Sequence, residues 1–176
     1  MTQSGALNWK LWLLISVAVF ALDQVTKLWI LDNFILGESQ VLLPFFNLVH
    51  VHNYGAAFSF LSDQPGWQRW FLLAVTSVIS VVLLVWLTRL QAQQKLLALS
   101  LALILGGALG NLYDRAVYGY VVDFIDWHVN GYHWPAFNIA DAGISCGAVL
   151  LILDTFIHPE PKAKDKAPNS KEEGAN

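Results

Sequence analysis

The chain has 176 residues, of which 56% are hydrophobic and only 13% are charged. Because soluble domains typically carry about 25% charged residues, this composition excludes an ordinary soluble domain and indicates a membrane protein. The formal net charge of -3 argues against nucleic-acid binding, which requires a basic face, so we expect no nucleic-acid partner.

Four apolar stretches are long enough to cross a bilayer as helices, which takes about 20 mostly apolar residues. The predicted spans cover residues 11–31, 67–88, 96–114 and 136–157. Most basic residues fall on the side shared by the two termini and the 89–95 loop, so the positive-inside rule predicts that both termini are cytoplasmic. The expected fold class is a membrane all-α protein, a four-transmembrane-helix bundle with a small β element.

The two segments on the non-cytoplasmic side of the membrane differ in composition from the short 89–95 loop. Segment 32–66 contains QVLLPFFNLVHVHNYGAAFSFL, whose β-branched and aromatic residues favour short strands. Segment 115–135 is rich in Trp and Tyr, which favour the headgroup region, so it is expected to lie in the membrane interface. Residues 158–176 are polar and predicted to be disordered, which leaves residues 1–157 as a single membrane domain.

Polar residues inside the spans are unexpected, since a carboxylate near the bilayer centre costs about 2.5–3.5 kcal/mol even on the insertion scale. With a rise of about 1.5 Å per residue, three different spans place such residues at one depth, in the outer leaflet. These residues are Asp23, Lys27, Asn111, Asp114 and Asp141. Their common depth indicates a single site.

Each of these elements also has a structural interpretation. Asp23 and Lys27, four residues apart, share a helix face and form an ion pair that makes the first span easier to insert. Asn111, Asp114 and Arg115 form a polar cluster at the end of the third span, in which Arg115 neutralises Asp114. The cluster is equally compatible with a structural role and with contact to a ligand.

His50 and His52 share one face of a predicted strand, where they could bind zinc. Two histidines without a third ligand are a weak metal signal, so an interfacial strand is the better interpretation and we expect no metal.

Asp123 and Asp141 are harder to explain structurally, because neither has a Lys or Arg within four residues. Two carboxyl groups brought together at low dielectric do not ionise together easily, so the pair shares a proton. An aspartic peptidase uses this arrangement to activate water and polarise the scissile carbonyl. A proton-coupled transporter also uses intramembrane acids, so both classes and a structural role stay open. A serine–lysine peptidase is disfavoured, because Lys27 has no serine within a turn.

Five motifs occur in an order that is much more specific than any one of them. They are LDQVTK (22–27), HNYGAAF (52–58), GGALGNLYDR (106–115), VVDF (121–124) and FNIAD (137–141). In order and topology the chain resembles the bacterial lipoprotein signal peptidase family, also called signal peptidase II. The resemblance extends from about residue 10 to residue 157.

This resemblance implies an aspartic endopeptidase of the bacterial inner membrane that needs no cofactor. Its implied substrates are diacylglyceryl-modified prolipoproteins, which it cuts just before the lipidated cysteine at a site near the outer leaflet. Membrane lipids and globomycin-type peptide inhibitors are further implied partners. The resemblance also implies a strand-built cradle from 32–66 and a lid-like interfacial helix from 115–135.

The family's functional positions match residues of this sequence one by one. Asp123 and Asp141 match the catalytic dyad. The positions implied to bind substrate are Asn53, Asn111, Arg115 and Asn138. Those implied to give structural support are Asp23, Lys27, Gly107 and Asp114.

Overall fold

The computed structural model describes residues 6–56 and 60–158, so the predicted disorder of the tail concerns residues outside the described part of the chain, His158 excepted. Four helices in this part are α1 (Trp9–Asn33), α2 (Trp67–Thr88), α3 (Lys95–Val117) and α4 (Ile139–Ile157). Each is long and apolar enough to cross a membrane, which confirms the four predicted spans. The strands are β1 (Ser39–Leu43), β2 (Phe46–Asn53), β3 (Val121–Val129) and β4 (Tyr132–His133).

Helix α3 is the centre of the bundle, and α1, α2 and α4 all pack against it. Its contact with α4 is close because a Cβ atom added to Gly107 would collide with the backbone carbonyl of Ala140. Small residues allow such close approach of two helices. Close packing favours helix association in a membrane, because lipid tails are as apolar as the side chains and no hydrophobic effect drives the helices together. Gly107 therefore supports the site region by packing and not by a polar contact.

The strands form one antiparallel sheet in the order β1-β2-β3-β4, with Val51 of β2 opposite Asp123 of β3. The sheet packs on the end of α1, where Ile30 and Phe34 contact Val122 and Phe124. We call this part of the molecule, where α1 and α3 end and α2 and α4 begin, the sheet end. The opposite end, where the described chain begins and finishes, is the terminal end.

The structure confirms strands in segment 32–66 but corrects the interfacial helix expected in 115–135. Helix α3 continues to Val117, and the rest of the segment forms β3 and β4. Strand β3 is rich in β-branched and aromatic residues, and the turn that follows uses Asn130 and Gly131 with φ values of 51° and 82°. An Asn-Gly turn with two positive φ angles favours a tight hairpin. The segment therefore extends the predicted cradle by two strands and forms no helical lid.

Candidate active site

Asp141 is fixed at the beginning of α4 by a reciprocal cap. The side chain of Asn138, the N-cap residue, accepts a hydrogen bond of 2.9 Å from the Asp141 backbone N–H. The Asp141 carboxylate in turn accepts one of 3.3 Å from the Asn138 backbone N–H. This capping box holds the acid where the helix dipole favours negative charge.

Asp123 lies on β3 with its side chain directed toward the same cap. It is 2% exposed, and its Oδ1 accepts a hydrogen bond of 2.7 Å from the Asn138 side-chain amide. Its Oδ2 accepts one of 3.0 Å from the Asn53 side-chain amide. Because Asn138 binds the Asp123 carboxylate through its side chain and the Asp141 carboxylate through its backbone N–H, the structure brings these two acids, 18 positions apart in the sequence, to one residue.

The surroundings of Asp123 favour its protonated form. Burial, followed by the nearby charge of Asp141, raises the pKa of the Asp123 carboxyl from 3.8 to about 7. The amides of Asn53 and Asn138 and the charge of Lys27 act in the opposite direction but are outweighed. Near neutral pH, this carboxyl therefore holds a proton for a substantial part of the time.

Asn111 connects Asp141 to the interior of the bundle. Its side-chain amide donates a hydrogen bond of 2.7 Å to Asp141 Oδ1, and its own oxygen accepts one of 3.0 Å from Lys27 Nζ. The Asp141 side chain is only partly buried. Of the two acids, Asp141 is thus the one that water and a peptide can approach more readily.

Arg115 does not neutralise Asp114, which corrects the expected pairing. Its guanidinium donates hydrogen bonds of 2.6 Å to the carbonyl of Gly55 and 3.2 Å to the carbonyl of Asn111. Asp114 instead forms an ion pair of 2.8 Å with Lys27. Consecutive residues on a helix face different directions, so Arg115 reaches the loop after β2 while Asp114 faces α1.

Lys27 forms the predicted ion pair with Asp23 at 2.8 Å, in addition to its pair with Asp114. Sequence reasoning missed Gln24, whose side-chain amide donates hydrogen bonds of 3.1 Å to Asp23 and 2.9 Å to Asp114. An available signal was its position, because a glutamine beside a buried acid in a membrane span itself needs a polar partner.

His50 and His52 lie side by side as expected, with their Nε2 atoms 3.1 Å apart. The Nδ1–H of His50 donates to the backbone carbonyl of Phe34 at 3.0 Å. Within residues 6–56 and 60–158, no group of three His, Cys, Asp or Glu side chains is arranged to hold a metal ion. The alternation of side chains along β2 places these histidines on the sheet face opposite Asn53 and Asp123.

Comparison with known proteins identifies the family of this chain. The family model described as signal peptidase (SPase) II matches residues 15–157. The chain belongs to the signal peptidase II family. A protein of Alteromonas mediterranea named lipoprotein signal peptidase is 54% identical over 92% of this chain and 89% of its own length. One of the same name from Serratia proteamaculans is 53% identical over 88% of this chain and 92% of its own length.

Solved structures with the same fold exist. One, described as a bacterial membrane enzyme, is 33% identical and superposes with a TM-score of 0.78 over 92% of this chain and 99% of its own. A second with the same description is 32% identical, with a TM-score of 0.75 over 90% of this chain and 99% of its own. These two bacterial membrane enzymes therefore share the fold of this chain over about nine tenths of its length.

Proposed function

We propose that this protein is the aspartic endopeptidase that removes signal peptides from diacylglyceryl-modified prolipoproteins, cutting just before the lipidated cysteine. The substrate class is supported by relatives that are named lipoprotein signal peptidases and are more than 50% identical over most of the chain. The aspartic mechanism is supported by a single observation, the two carboxyl groups that both accept hydrogen bonds from Asn138. The same relatives disfavour a proton-coupled transporter.

In this mechanism the two acids have different tasks. Asp141, the more accessible one, takes a proton from a water molecule as the water oxygen attacks the scissile carbonyl carbon. Asp123, which holds the shared proton, donates a hydrogen bond to the carbonyl oxygen as negative charge develops there. The proton taken by Asp141 then passes to the departing amine nitrogen, which breaks the peptide bond without a covalent enzyme intermediate.

The four remaining polar positions serve the substrate in this proposal. Asn53, Asn111 and Asn138 donate hydrogen bonds to the two carboxyl groups, so a peptide bound at these acids would lie beside the three amides. Arg115 is buried, and its Nε atom has no hydrogen-bond partner among the described residues. A substrate carbonyl would satisfy this donor, since a buried unpaired donor is costly.

We place the enzyme in the bacterial inner membrane with its sheet end at the outer surface. The acyl chains of a lipidated substrate occupy the outer leaflet and hold the scissile bond near the headgroups. Helix α4 begins at Ile139, so Asp141 lies within the first turn of its span, at that depth. Membrane lipids thus surround the substrate, and globomycin-type peptides are expected to inhibit by occupying the acids.

The test is cleavage of a diacylglyceryl-modified prolipoprotein peptide by the purified full chain, with products identified by mass spectrometry. We expect cleavage just before the lipidated cysteine, and a rate at least about a thousandfold lower in Asp123→Asn and Asp141→Asn. Asp154→Asn is the matched control, because Asp154 is an acid on the same helix as Asp141 but near its other end. Retained activity in either dyad variant would refute the mechanism, and cleavage elsewhere would refute the substrate assignment.

A further inference from the structure

Four residues form a polar cluster that the proposed chemistry does not use. Lys27 Nζ lies 2.8 Å from a carboxylate oxygen of Asp23 and 2.8 Å from one of Asp114, and all three side chains are at most 2% exposed. The side-chain amide of Gln24 donates a hydrogen bond to each of these two carboxylates. We call these residues, Asp23, Gln24, Lys27 and Asp114, the Lys27 cluster.

The first acid of the cluster holds the helix that carries Asp141. Oδ1 of Asp23, on α1, accepts a hydrogen bond of 2.8 Å from the backbone N–H of Ala140. Ala140 immediately precedes Asp141 in the first turn of α4, where backbone N–H groups have no partner within the helix. Asp23 therefore caps α4 from a different helix and fixes the first turn of α4 relative to α1.

The second acid holds the strand that carries Asp123. Oδ2 of Asp114, on α3, accepts a hydrogen bond of 3.2 Å from the backbone N–H of Val122. Val122 immediately precedes Asp123 on β3 and is fully buried. Asp114 thus fixes the strand one residue before the second proposed catalytic acid.

The two contacts follow the same rule, because each cluster acid binds the backbone N–H of the residue before one dyad acid. We infer that the Lys27 cluster sets the spacing of Asp123 and Asp141, with Lys27 as the positioning residue that joins the two halves. A third contact supports this role, since Lys27 also donates to Asn111, which donates to Asp141. The inference rests on the proposed dyad chemistry.

The charge of Lys27 also acts on the dyad from a distance. Charged groups act on Asp123 from three helices, namely Lys27 on α1, Arg115 on α3 and Asp141 on α4, whereas β2 contributes the neutral amide of Asn53. The positive charge of Lys27 lowers the pKa of Asp123. Removing that charge is therefore expected to raise the pKa of Asp123.

The test compares three variants of the full chain in the cleavage assay with a diacylglyceryl-modified prolipoprotein peptide. Lys27→Met removes the link between the two acids, and Asp114→Asn keeps the shape of its side chain but removes the charge that pairs with Lys27. Ser16→Ala is the matched control, because the Ser16 hydroxyl joins α1 to α3 through a hydrogen bond of 2.8 Å to the carbonyl of Ala102 and touches neither acid.

We expect kcat to fall about a hundredfold in Lys27→Met and about tenfold in Asp114→Asn, with KM changed less than about twofold, because a small misplacement of catalytic groups costs rate more than binding. The pH–rate profile of Lys27→Met should move to higher pH, whereas Ser16→Ala should keep the profile and kcat of the unmodified enzyme. A purely structural role would lower the yield of folded protein without changing kcat or the profile.

The outcomes separate this inference from the proposed function. If Asp123→Asn and Asp141→Asn are inactive while Lys27→Met and Asp114→Asn keep normal kcat and pH dependence, the inference is wrong and the dyad stands. If either dyad variant retains cleavage, the proposed function itself fails. Should Lys27→Met not fold, the kcat of Asp114→Asn decides alone, and an unchanged value contradicts the inference.

Discussion

The two ends of the helix bundle are held together by different interactions. At the terminal end, the buried cluster is apolar and includes Leu83, Leu87, Leu97 and Leu101. At the sheet end, the apolar cluster of Ile30, Phe34, Val122 and Phe124 lies beside buried ion pairs and side-chain amides. Apolar packing suffices to join helices in lipid, and buried ion pairs are weak contributors to net stability. The polar groups of the sheet end are therefore better explained by the site they build than by the fold.

The largest expected effect on stability comes from breaking the Lys27 cluster. Asp23→Ala removes one of the two carboxylates that pair with Lys27 and leaves the Ala140 N–H without its acceptor. We expect it to destabilise the fold by about 3–5 kcal/mol and to lower the amount of folded enzyme at least as much as the specific activity. Thermal unfolding in detergent and the cleavage rate per folded molecule measure the two effects.

The terminal end supplies the contrast for this variant. Leu101→Ala truncates a fully buried side chain of the apolar cluster and is expected to cost about 2–5 kcal/mol through the cavity it leaves. Its cleavage rate per folded molecule should stay unchanged. A loss of kcat in Leu101→Ala equal to the loss in Asp23→Ala would remove the distinction between the two ends.

Replacing Asp123 should stabilise the protein while abolishing cleavage. The folded state raises the pKa of this carboxyl from 3.8 to about 7, so it binds the proton more tightly than the unfolded chain does. Stability contributed by this group is thus lost as the pH rises from about 4 to about 7. Because asparagine cannot ionise, Asp123→Asn should be more stable than the unmodified protein by about 4 kcal/mol above about pH 8 and equal to it near about pH 4. If Asp123→Asn and the unmodified protein unfold at the same temperature at both pH values, the folded state does not disfavour the charged form of Asp123.

Close packing of α3 on α4 gives a smaller predicted effect. In Gly107→Ala the new methyl group collides with the Ala140 carbonyl, so α4 must shift. We expect the free energy of unfolding to fall by about 1–3 kcal/mol. The matched control is Gly143→Ala on α4, where the nearest atom is the side-chain Cγ1 of Val19 at 3.1 Å instead of a backbone atom. If Gly143→Ala unfolds at a lower temperature than Gly107→Ala, the contact of Gly107 with Ala140 does not determine how closely α3 and α4 pack.

The smallest expected effect is that of metal removal. We expect a chelator to leave the cleavage rate unchanged, because water is activated by a carboxylate in the proposed mechanism. A rate that falls on chelation and recovers with zinc would instead support metal binding by His50 and His52, which lie 3.1 Å apart.

The sequence predicted the spans and the common depth of the polar residues, because both depend on hydropathy and on the rise of a helix. It did not predict rotation about each helix, which is why Arg115 was paired with Asp114 and the actual partner, Lys27, lay 87 positions away. The interfacial helix was wrong for a different reason. Trp and Tyr favour the membrane interface in either conformation, so the β-branched residues of β3 and the Asn130–Gly131 turn carried the deciding signal.

The most direct test of the shared proton is the dependence of kcat/KM on pH for the unmodified enzyme with a diacylglyceryl-modified prolipoprotein peptide. We expect a bell-shaped profile that falls above about pH 7, where Asp123 loses its proton. A rate that keeps rising to about pH 9, as expected for a serine activated by a lysine base, would contradict it.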